Sequence, residues 1–137
     1  MKRKKAFITP TAHWEREWVM TFGLFQVRLV NLMDNLMDIM EENAQYCFLM
    51  DGQAIALEDY LEIKPEERER LGNFMKRGQL IAGPWYELAD QFLENGESTI
   101  RNLLFGKRTI ENLSGRPMKL GYIPDSFGSI ATMPIAP

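Results

Sequence analysis

Residues that could do chemistry fall in four short segments of this 137-residue sequence. The segments cover residues 11–18, 51–53, 83–90 and 125–128. Together they hold the single histidine, His13, all three tryptophans and several carboxylates. Such side chains can bind a metal ion, stack on a ring or attack a bond. The four segments are therefore candidate parts of one site.

His13 and Glu15 are spaced to share one metal ion, because residues two apart on an extended segment point to the same side. An imidazole with carboxylate oxygens suits Zn²⁺, and Ca²⁺ or Mn²⁺ is less favoured because histidine is not their preferred ligand. Taken alone, each residue has a plainer interpretation. A single histidine is often structural, Asp51 before Gly52 can form a turn, and Asp125 can cap a helix. Their joint position is what favours a site.

The tryptophans and carboxylates favour a sugar as the ligand. A tryptophan face is a platform for the apolar face of a pyranose ring, and carboxylates can bind its hydroxyls and attack its anomeric carbon. A nucleotide fits less well, because Gly106-Lys107 is followed by Arg108 and lacks the glycine spacing of a phosphate loop. The sequence therefore predicts metal-assisted chemistry on a sugar.

The composition is that of one ordinary globular domain, with 45% hydrophobic and 26% charged residues. Lys and Arg number 16 and Asp and Glu number 19, so the formal net charge of −3 makes nucleic acid an unexpected partner. No run of 18 apolar residues is present, and the basic start is not followed by a signal-peptide core. We expect a cytoplasmic protein that does not associate with a membrane.

Alternating strands and helices must position the four segments. Hydrophobic patterns predict strands at 6–9, 46–50, 80–82 and 120–123, and helices at 22–42, 65–77 and 97–113. The predicted inner residues of the first and last helices are Phe22, Phe25, Leu29, Leu32, Leu36, Ile39, Ile100, Leu103, Leu104 and Ile110. This alternation indicates an α/β fold with a parallel sheet. Each chemical segment follows a predicted strand, so all four should meet at the carboxyl end of the sheet.

The same segments resemble the retaining α-mannosidases of glycoside hydrolase family 38. The matching blocks are residues 10–18 (PTAHWEREW), 49–53 and 57–60 (LMDGQ and LEDY), 83–86 and 96–98 (GPWY and GES) with Asp90 between them, and 121–128 (GYIPDSFG). They occur in the family's order and cover essentially the whole chain. The resemblance is closest to the bacterial branch that includes the mannosylglycerate hydrolases.

The resemblance implies that residues 1–137 are the N-terminal portion of a seven-stranded β/α barrel, part of a catalytic domain. It implies that His13, the acid at position 15 and Asp125 bind Zn²⁺. Asp125 would also be the nucleophile of a retaining hydrolysis of α-mannosides or mannosylglycerate-like glycosides. Trp18 would stack under the mannose ring. The other candidates for substrate binding are Asp51, Trp85, Tyr86 and Asp90.

Two features differ from the family pattern. The family has aspartate where this sequence has Glu15, and its fourth metal ligand is a histidine far downstream, whereas this sequence has one histidine in total. The family's acid/base residue also lies downstream. We therefore expect a truncated domain that is inactive alone and self-associates through uncovered sheet edges. The alternative is a non-catalytic remnant or an interaction module.

Overall fold

The sheet that carries the candidate site has three short parallel strands. The computed structural model describes residues 4–114 and 116–131. Within them the elements are β1 Thr11–Ala12, α1 Phe22–Glu42, β2 Phe48–Met50, α2 Ile55–Ile63, a 3₁₀-helix at Pro65–Glu67, α3 Arg68–Lys76, β3 Leu80–Ala82 and α4 Gly96–Ser114. The predicted α/β class is confirmed. None of the helices in the described ranges is both long enough and apolar enough to cross a membrane.

Strand pairing brings the carboxyl ends of the three strands to one edge. The strand order is β1, β2, β3, and Leu49 of β2 lies opposite Thr11 of β1 and Ile81 of β3. Just beyond the strands, a parallel bridge joins Gln53 to Trp85. The segments that follow β1, β2 and β3 therefore leave the sheet at the same edge.

Helix α1 has the predicted bounds and covers the sheet with a methionine-rich face. Its buried residues are Phe25, Leu29, Met33, Leu36, Met37 and Met40. The prediction is wrong for Ile39, which is 44% exposed. The buried stripe follows the row of residues four apart through Leu29, Met33 and Met37, and this row leaves Ile39 on the flank. Tyr60 and Phe74, both fully buried, pack in the same core.

Helices α2 and α3 differ in how well the sequence predicts them. α3 follows Pro65 closely, and Gly78, with φ of 75°, ends this segment as predicted. α2 was not predicted. Its buried residues are Ile55, Ala56, Leu57, Asp59, Tyr60 and Leu61. A helix buried on nearly every side shows no polar face, so its periodicity is weak.

Two predicted strands are wrong. Residues 6–9 and 120–123 form no strand, and Phe7 and Ile8 are about 90% exposed. β1 begins after Pro10, whose carbonyl oxygen accepts a hydrogen bond from the Leu49 N–H group. The apolar run before Pro10 has no neighbouring strand in the described chain. An apolar run without a pairing partner does not form a ladder.

The segment that replaces the fourth strand crosses the carboxyl end of β2. A Cβ atom built on Gly52 would lie 2.0 Å from the Tyr122 carbonyl oxygen. Gly52 therefore allows residues 121–123 to pass against the end of β2 without joining the sheet. Leu120, just before them, is exposed. This path still carries Asp125 to the edge where the three strands end.

Helix α4 confirms the predicted helix at 97–113, and Leu103 and Ile110 are buried as predicted. Ile100 and Leu104, predicted to be inside, are more than half exposed. The inner face instead passes through Gly106. A Cβ atom there would lie 2.2 Å from the Pro84 carbonyl oxygen and 2.3 and 2.4 Å from the carbonyl carbon of Trp85 and the nitrogen of Tyr86. α4 therefore approaches the segment after β3 backbone to backbone.

This close approach gives a stability prediction. Gly106→Ala should destabilise the fold by about 1–3 kcal/mol or more, because the new methyl group meets backbone that cannot turn aside. Gly23→Ala is the matched control, since Gly23 is also helical but has nothing within 4 Å of the added Cβ. Gly23→Ala should be neutral or stabilising. Urea denaturation of both variants measures the difference, and equal midpoints would contradict the prediction.

Candidate active site and metal centre

A cavity of about 340 Å³ lies at the carboxyl edge of the sheet. Its lining residues are His13, Trp14, Glu15, Arg16, Glu17, Gln53, Glu87, Leu88, Ala89, Asp90, Asp125 and Phe127. They come from the segments after β1, β2 and β3 and from the segment that contains Asp125. The volume is within the usual range of small-molecule sites, roughly 300–1,000 Å³. All four chemical segments thus contribute to one cavity.

His13 lies beside two carboxylates in this cavity. Its Nε2 atom is 3.1 Å from Glu15 Oε1 and 3.6 Å from Asp125 Oδ2. One potential ligand atom from each of the three residues lies within 4.8 Å of the others. The side chains of Glu15 and Asp125 are 40% and 52% exposed, so both can be reached from the cavity.

This donor set fits a divalent metal ion. Two ligands held about 2.0–2.2 Å from a tetrahedral ion lie roughly 3.4 Å apart, and the distances from His13 Nε2 to the two carboxylates are on either side of that value. One imidazole nitrogen and two carboxylate oxygens are also ligands that such ions accept. The predicted ligands His13, Glu15 and Asp125 are thus brought together.

The other ring nitrogen of His13 lies against Asp51, which is fully buried. Asp51 Oδ2 is 3.0 Å from His13 Nδ1 and accepts a hydrogen bond of 2.7 Å from the Trp14 N–H group. The Gln53 side-chain amide donates to the same oxygen and to the Trp14 carbonyl oxygen. Asp51 therefore touches the histidine from behind and does not line the cavity.

Arg16 ties the segment after β1 to helix α2. Its guanidinium donates two hydrogen bonds, of 2.7 and 3.0 Å, to the two carboxylate oxygens of Asp59. Glu87 lies 3.8 Å from the same guanidinium, which also packs over the Phe22 ring. The hydrogen bonds that Arg16 donates to Asp59 raise the pKa of Arg16, although burial acts in the opposite direction. This pair therefore fixes the chain at Arg16, the residue that directly follows Glu15.

The predicted substrate-binding residues have different positions. Asp90 lines the cavity, whereas Trp18 is 83% exposed and is not among the lining residues. Trp85 is buried beside a separate small cavity of about 10 Å³. The Tyr86 hydroxyl donates to a Glu58 oxygen, and its pKa is raised by burial and by that hydrogen bond. Trp85 and Tyr86 therefore help to build the wall behind the site.

Sequence reasoning assigned no role to Arg16, Asp59, Gln53 or Glu87. Asp59 had a usable signal, since an aspartate among the apolar residues of α2 needs a partner if that helix is buried. Gln53 and Glu87 stand next to assigned residues, but their types are common on any surface. Their contribution depends on the register of the strands, which no short pattern gives.

Comparisons with known proteins identify the family of this chain. The sequence profile of the glycosyl hydrolases family 38 N-terminal domain matches residues 3–136. A protein named "Putative mannosylglycerate hydrolase" from Halalkalibacterium halodurans is 40% identical over 133 residues, which are 96% of this chain and 15% of that protein. Alpha-mannosidase G from Dictyostelium discoideum is 31% identical over 89% of this chain and 11% of its own length.

A solved structure is similar as well. The crystal structure of an α-mannosidase from Enterococcus faecalis superposes with a TM-score of 0.88 and 38% identity, over 93% of this chain and 14% of that one. This chain therefore spans only 11–15% of the length of these proteins. Since the family profile covers nearly every residue, the chain belongs to glycosyl hydrolase family 38 and corresponds to sequence of that family's N-terminal domain.

Proposed function

We propose that this chain supplies the nucleophile and part of the metal site of a retaining α-mannosidase. The observation that carries the proposal is the convergence of His13, Glu15 and Asp125 in one open cavity. The substrates would be α-mannosides or mannosylglycerate-like glycosides, as the names of the relatives suggest. The three strands would be the first part of the family's seven-stranded β/α barrel, which a crystal structure of a longer protein would test.

Zn²⁺ is the ion that we propose for the site, held by His13, Glu15 and Asp125. When bound, such an ion is a Lewis acid that can hold sugar hydroxyls and stabilise charge in the transition state. The imidazole favours zinc over calcium, which prefers oxygen ligands alone. The buried contact of His13 with Asp51 resembles the carboxylate partner that metal-bound histidines usually have.

Asp125 is the residue that would form and break bonds. Its carboxylate oxygen attacks the anomeric carbon while the glycosidic C–O bond breaks, and the departing oxygen takes a proton from an acid/base group. Water then donates its proton to that group and displaces Asp125, which restores the carboxylate and releases mannose. The side chain is half exposed towards the cavity, so a sugar can approach it.

The substrate contacts that we propose are Asp90, on the cavity wall, and Trp18, on the exposed side of the same segment as His13. Asp90 would accept hydrogen bonds from ring hydroxyls. Trp18 presents a free aromatic face on which a mannose ring could stack. Asp51, Trp85 and Tyr86 would act through the residues they support.

The experiment uses a chimaera, because the chain covers only 14% of the Enterococcus faecalis enzyme. The 137 residues replace the matching segment of that enzyme, and hydrolysis of an aryl α-mannoside is measured with and without a chelator. We expect zinc-dependent α-mannosidase activity and no hydrolysis of the β-mannoside. A folded chimaera that binds zinc but leaves the α-mannoside intact would favour the alternative, a non-catalytic interaction module.

Zinc binding by the 137-residue chain gives a second prediction. Glu15→Asp should bind zinc as tightly as the parent or more tightly, because it shortens the acid to the length found in the family. Glu15→Ala removes a ligand and should weaken binding by more than the roughly 10–100-fold cost of losing a supporting residue. Glu17→Gln is the control, since Glu17 lines the cavity but is outside the ligand set. Calorimetric titration decides, and a tenfold weaker Glu15→Asp would contradict the prediction.

A further inference from the structure

Asp51 has a role that differs from substrate binding. We propose that its buried carboxylate fixes the His13 ring, with a proton on Nδ1 facing the protein and a free lone pair on Nε2 facing the cavity. The inference concerns positioning within the metal site proposed above. It starts from the 3.0 Å contact between Asp51 Oδ2 and His13 Nδ1 and from the complete burial of Asp51.

The Asp51 carboxylate cannot turn away from the histidine. Its Oδ2 atom also accepts hydrogen bonds from the Trp14 N–H group at 2.7 Å and the Gln53 amide at 3.1 Å. Its Oδ1 atom accepts one of 2.8 Å from the Gly52 N–H group. The backbone of Asp51 has φ of 52°, a left-handed conformation that persists where the surroundings hold it. The acceptor for the Nδ1 proton is therefore fixed in place.

Glu15 competes for the histidine proton, because its Oε1 atom is 3.1 Å from Nε2. A proton on Nε2 would leave the Nδ1 lone pair facing a buried carboxylate oxygen, which is a repulsive contact that water cannot relieve. A proton on Nδ1 leaves Nε2 facing Glu15, whose side chain is 40% exposed and can rotate into solvent. The buried acceptor therefore decides which nitrogen carries the proton.

The consequence is a ring that is oriented before any ion arrives. The lone pair of Nε2 faces the carboxylates of Glu15 and Asp125. An ion bound by these two carboxylates would need its nitrogen ligand at this position. An imidazole that need not change tautomer or rotate can bind an ion without that cost. Asp51 is thus a positioning residue for His13, and Gln53 and the Trp14 backbone keep Asp51 in place.

The test is a ¹⁵N NMR spectrum of the tag-free chain, in which His13 is the only histidine and gives the only imidazole signals. The spectrum is recorded without metal over a series of rising pH values, and the tautomer is read where the imidazole signals no longer change with pH. We expect the proton on Nδ1. Adding Zn²⁺ should shift Nε2 and leave Nδ1 protonated. A proton on Nε2 in the metal-free chain, or an even mixture of tautomers, would overturn the inference.

Asp51→Gly removes the carboxylate and suits the positive φ. We expect the proton to move to Nε2, where Glu15 and Asp125 remain, and the zinc dissociation constant to rise by about 10–100-fold. Asp34→Asn is the control, because Asp34 pairs with Tyr60 and Lys64 on another part of the fold. It should keep the parent tautomer and affinity.

Asp51→Asn replaces the glycine variant if that variant does not fold, and it should raise the Nε2–H population and the dissociation constant in the same direction. An Asp51 variant with the parent tautomer and the parent affinity would reject the positioning role. Failure of the parent chain to bind zinc would remove the metal from the proposed function. The metal-free spectrum would still decide the inference about Asp51, so the two failures are distinguishable.

Discussion

Asp125→Ala in the chimaera should abolish hydrolysis of an aryl α-mannoside. The substitution removes the carboxylate that we propose as the nucleophile and, at the same time, a proposed metal ligand that lies 3.6 Å from His13 Nε2. Loss of a covalent nucleophile costs on the order of 10⁴–10⁶ in rate, far more than loss of a single binding contact. The measurement is kcat/KM at saturating zinc, so that weaker metal binding does not account for the result.

Asp90→Asn is the matched control, because Asp90 is another carboxylate of the same cavity. It should cost only about 10–100-fold, the effect of one hydrogen bond to a charged group. A slowly turned-over mannosyl donor with a good leaving group should also leave a mannosyl adduct on the peptide that contains Asp125. An adduct on a different peptide, or substantial activity in Asp125→Ala, would assign the nucleophile elsewhere.

The sequence predicts helices and central strands well where apolar residues recur along one face of the element or form a short run between turn residues. α1 has its predicted bounds, β3 has its predicted bounds, and β2 differs only in starting at Phe48. These elements are long or bounded by clear turn residues such as Gly78. Their identity depends on local pattern, which is visible in a single sequence.

The failures have a common physical cause, which is dependence on a distant partner. Residues 6–9 and 120–123 are apolar enough for strands, but a strand also needs a neighbour, and neither run has one in the described chain. The sequence does not predict helix α2 for the opposite reason. Its partners surround the helix on most sides, so its hydrophobic periodicity is weak. Neither the missing neighbour nor the surrounding partners can be seen in the segment itself.

The candidate site likewise has features that the local sequence predicts and features that depend on distant partners. Residue types and spacing suggest that His13 and Glu15 share an ion, and the family resemblance adds Asp125, although the strand predicted just before Asp125 does not form. The structure places the three side chains together. The sequence predicts that Asp51 contacts the substrate, because it follows a strand at the end of the sheet where the site is expected. Its contact with Nδ1 depends on the pairing of Ala12 with Met50, which sets how far each segment extends past the sheet. The strand register therefore decides which side chain Asp51 contacts, and register is a tertiary property.

The pair of Arg16 and Asp59 provides the largest expected effect on stability. Arg16→Ala should lower the free energy of unfolding by about 3–5 kcal/mol, because it leaves the Asp59 carboxylate buried without its cation. The side chain of Asp59 is only 7% exposed, so water cannot replace the two lost hydrogen bonds. Urea denaturation gives the value.

Arg70→Ala is the control that separates burial from charge. The side chains of Arg16 and Arg70 are both 29% exposed. Glu67, which is 22% exposed, lies 3.6 Å from Arg70 and beyond hydrogen-bond distance. The two carboxylates that accept hydrogen bonds from Arg70, on Asp38 and Glu41, are 66% and 55% exposed. Water can solvate those partners, so Arg70→Ala should cost only about 1 kcal/mol. Equal losses in the two variants would mean that the burial of Asp59 is not what matters.

A double variant tests the mechanism of the loss. Arg16→Met with Asp59→Leu removes both charges and keeps apolar volume, and it should recover most of the stability lost in Arg16→Ala, because the penalty belongs to the unpaired carboxylate. The same double variant should still bind zinc more weakly than the parent, since the segment carrying Glu15 has lost its hydrogen bonds to α2. Recovery of stability without recovery of zinc affinity would show that the pair holds the proposed metal site in place. Full recovery of both would assign it to stability alone.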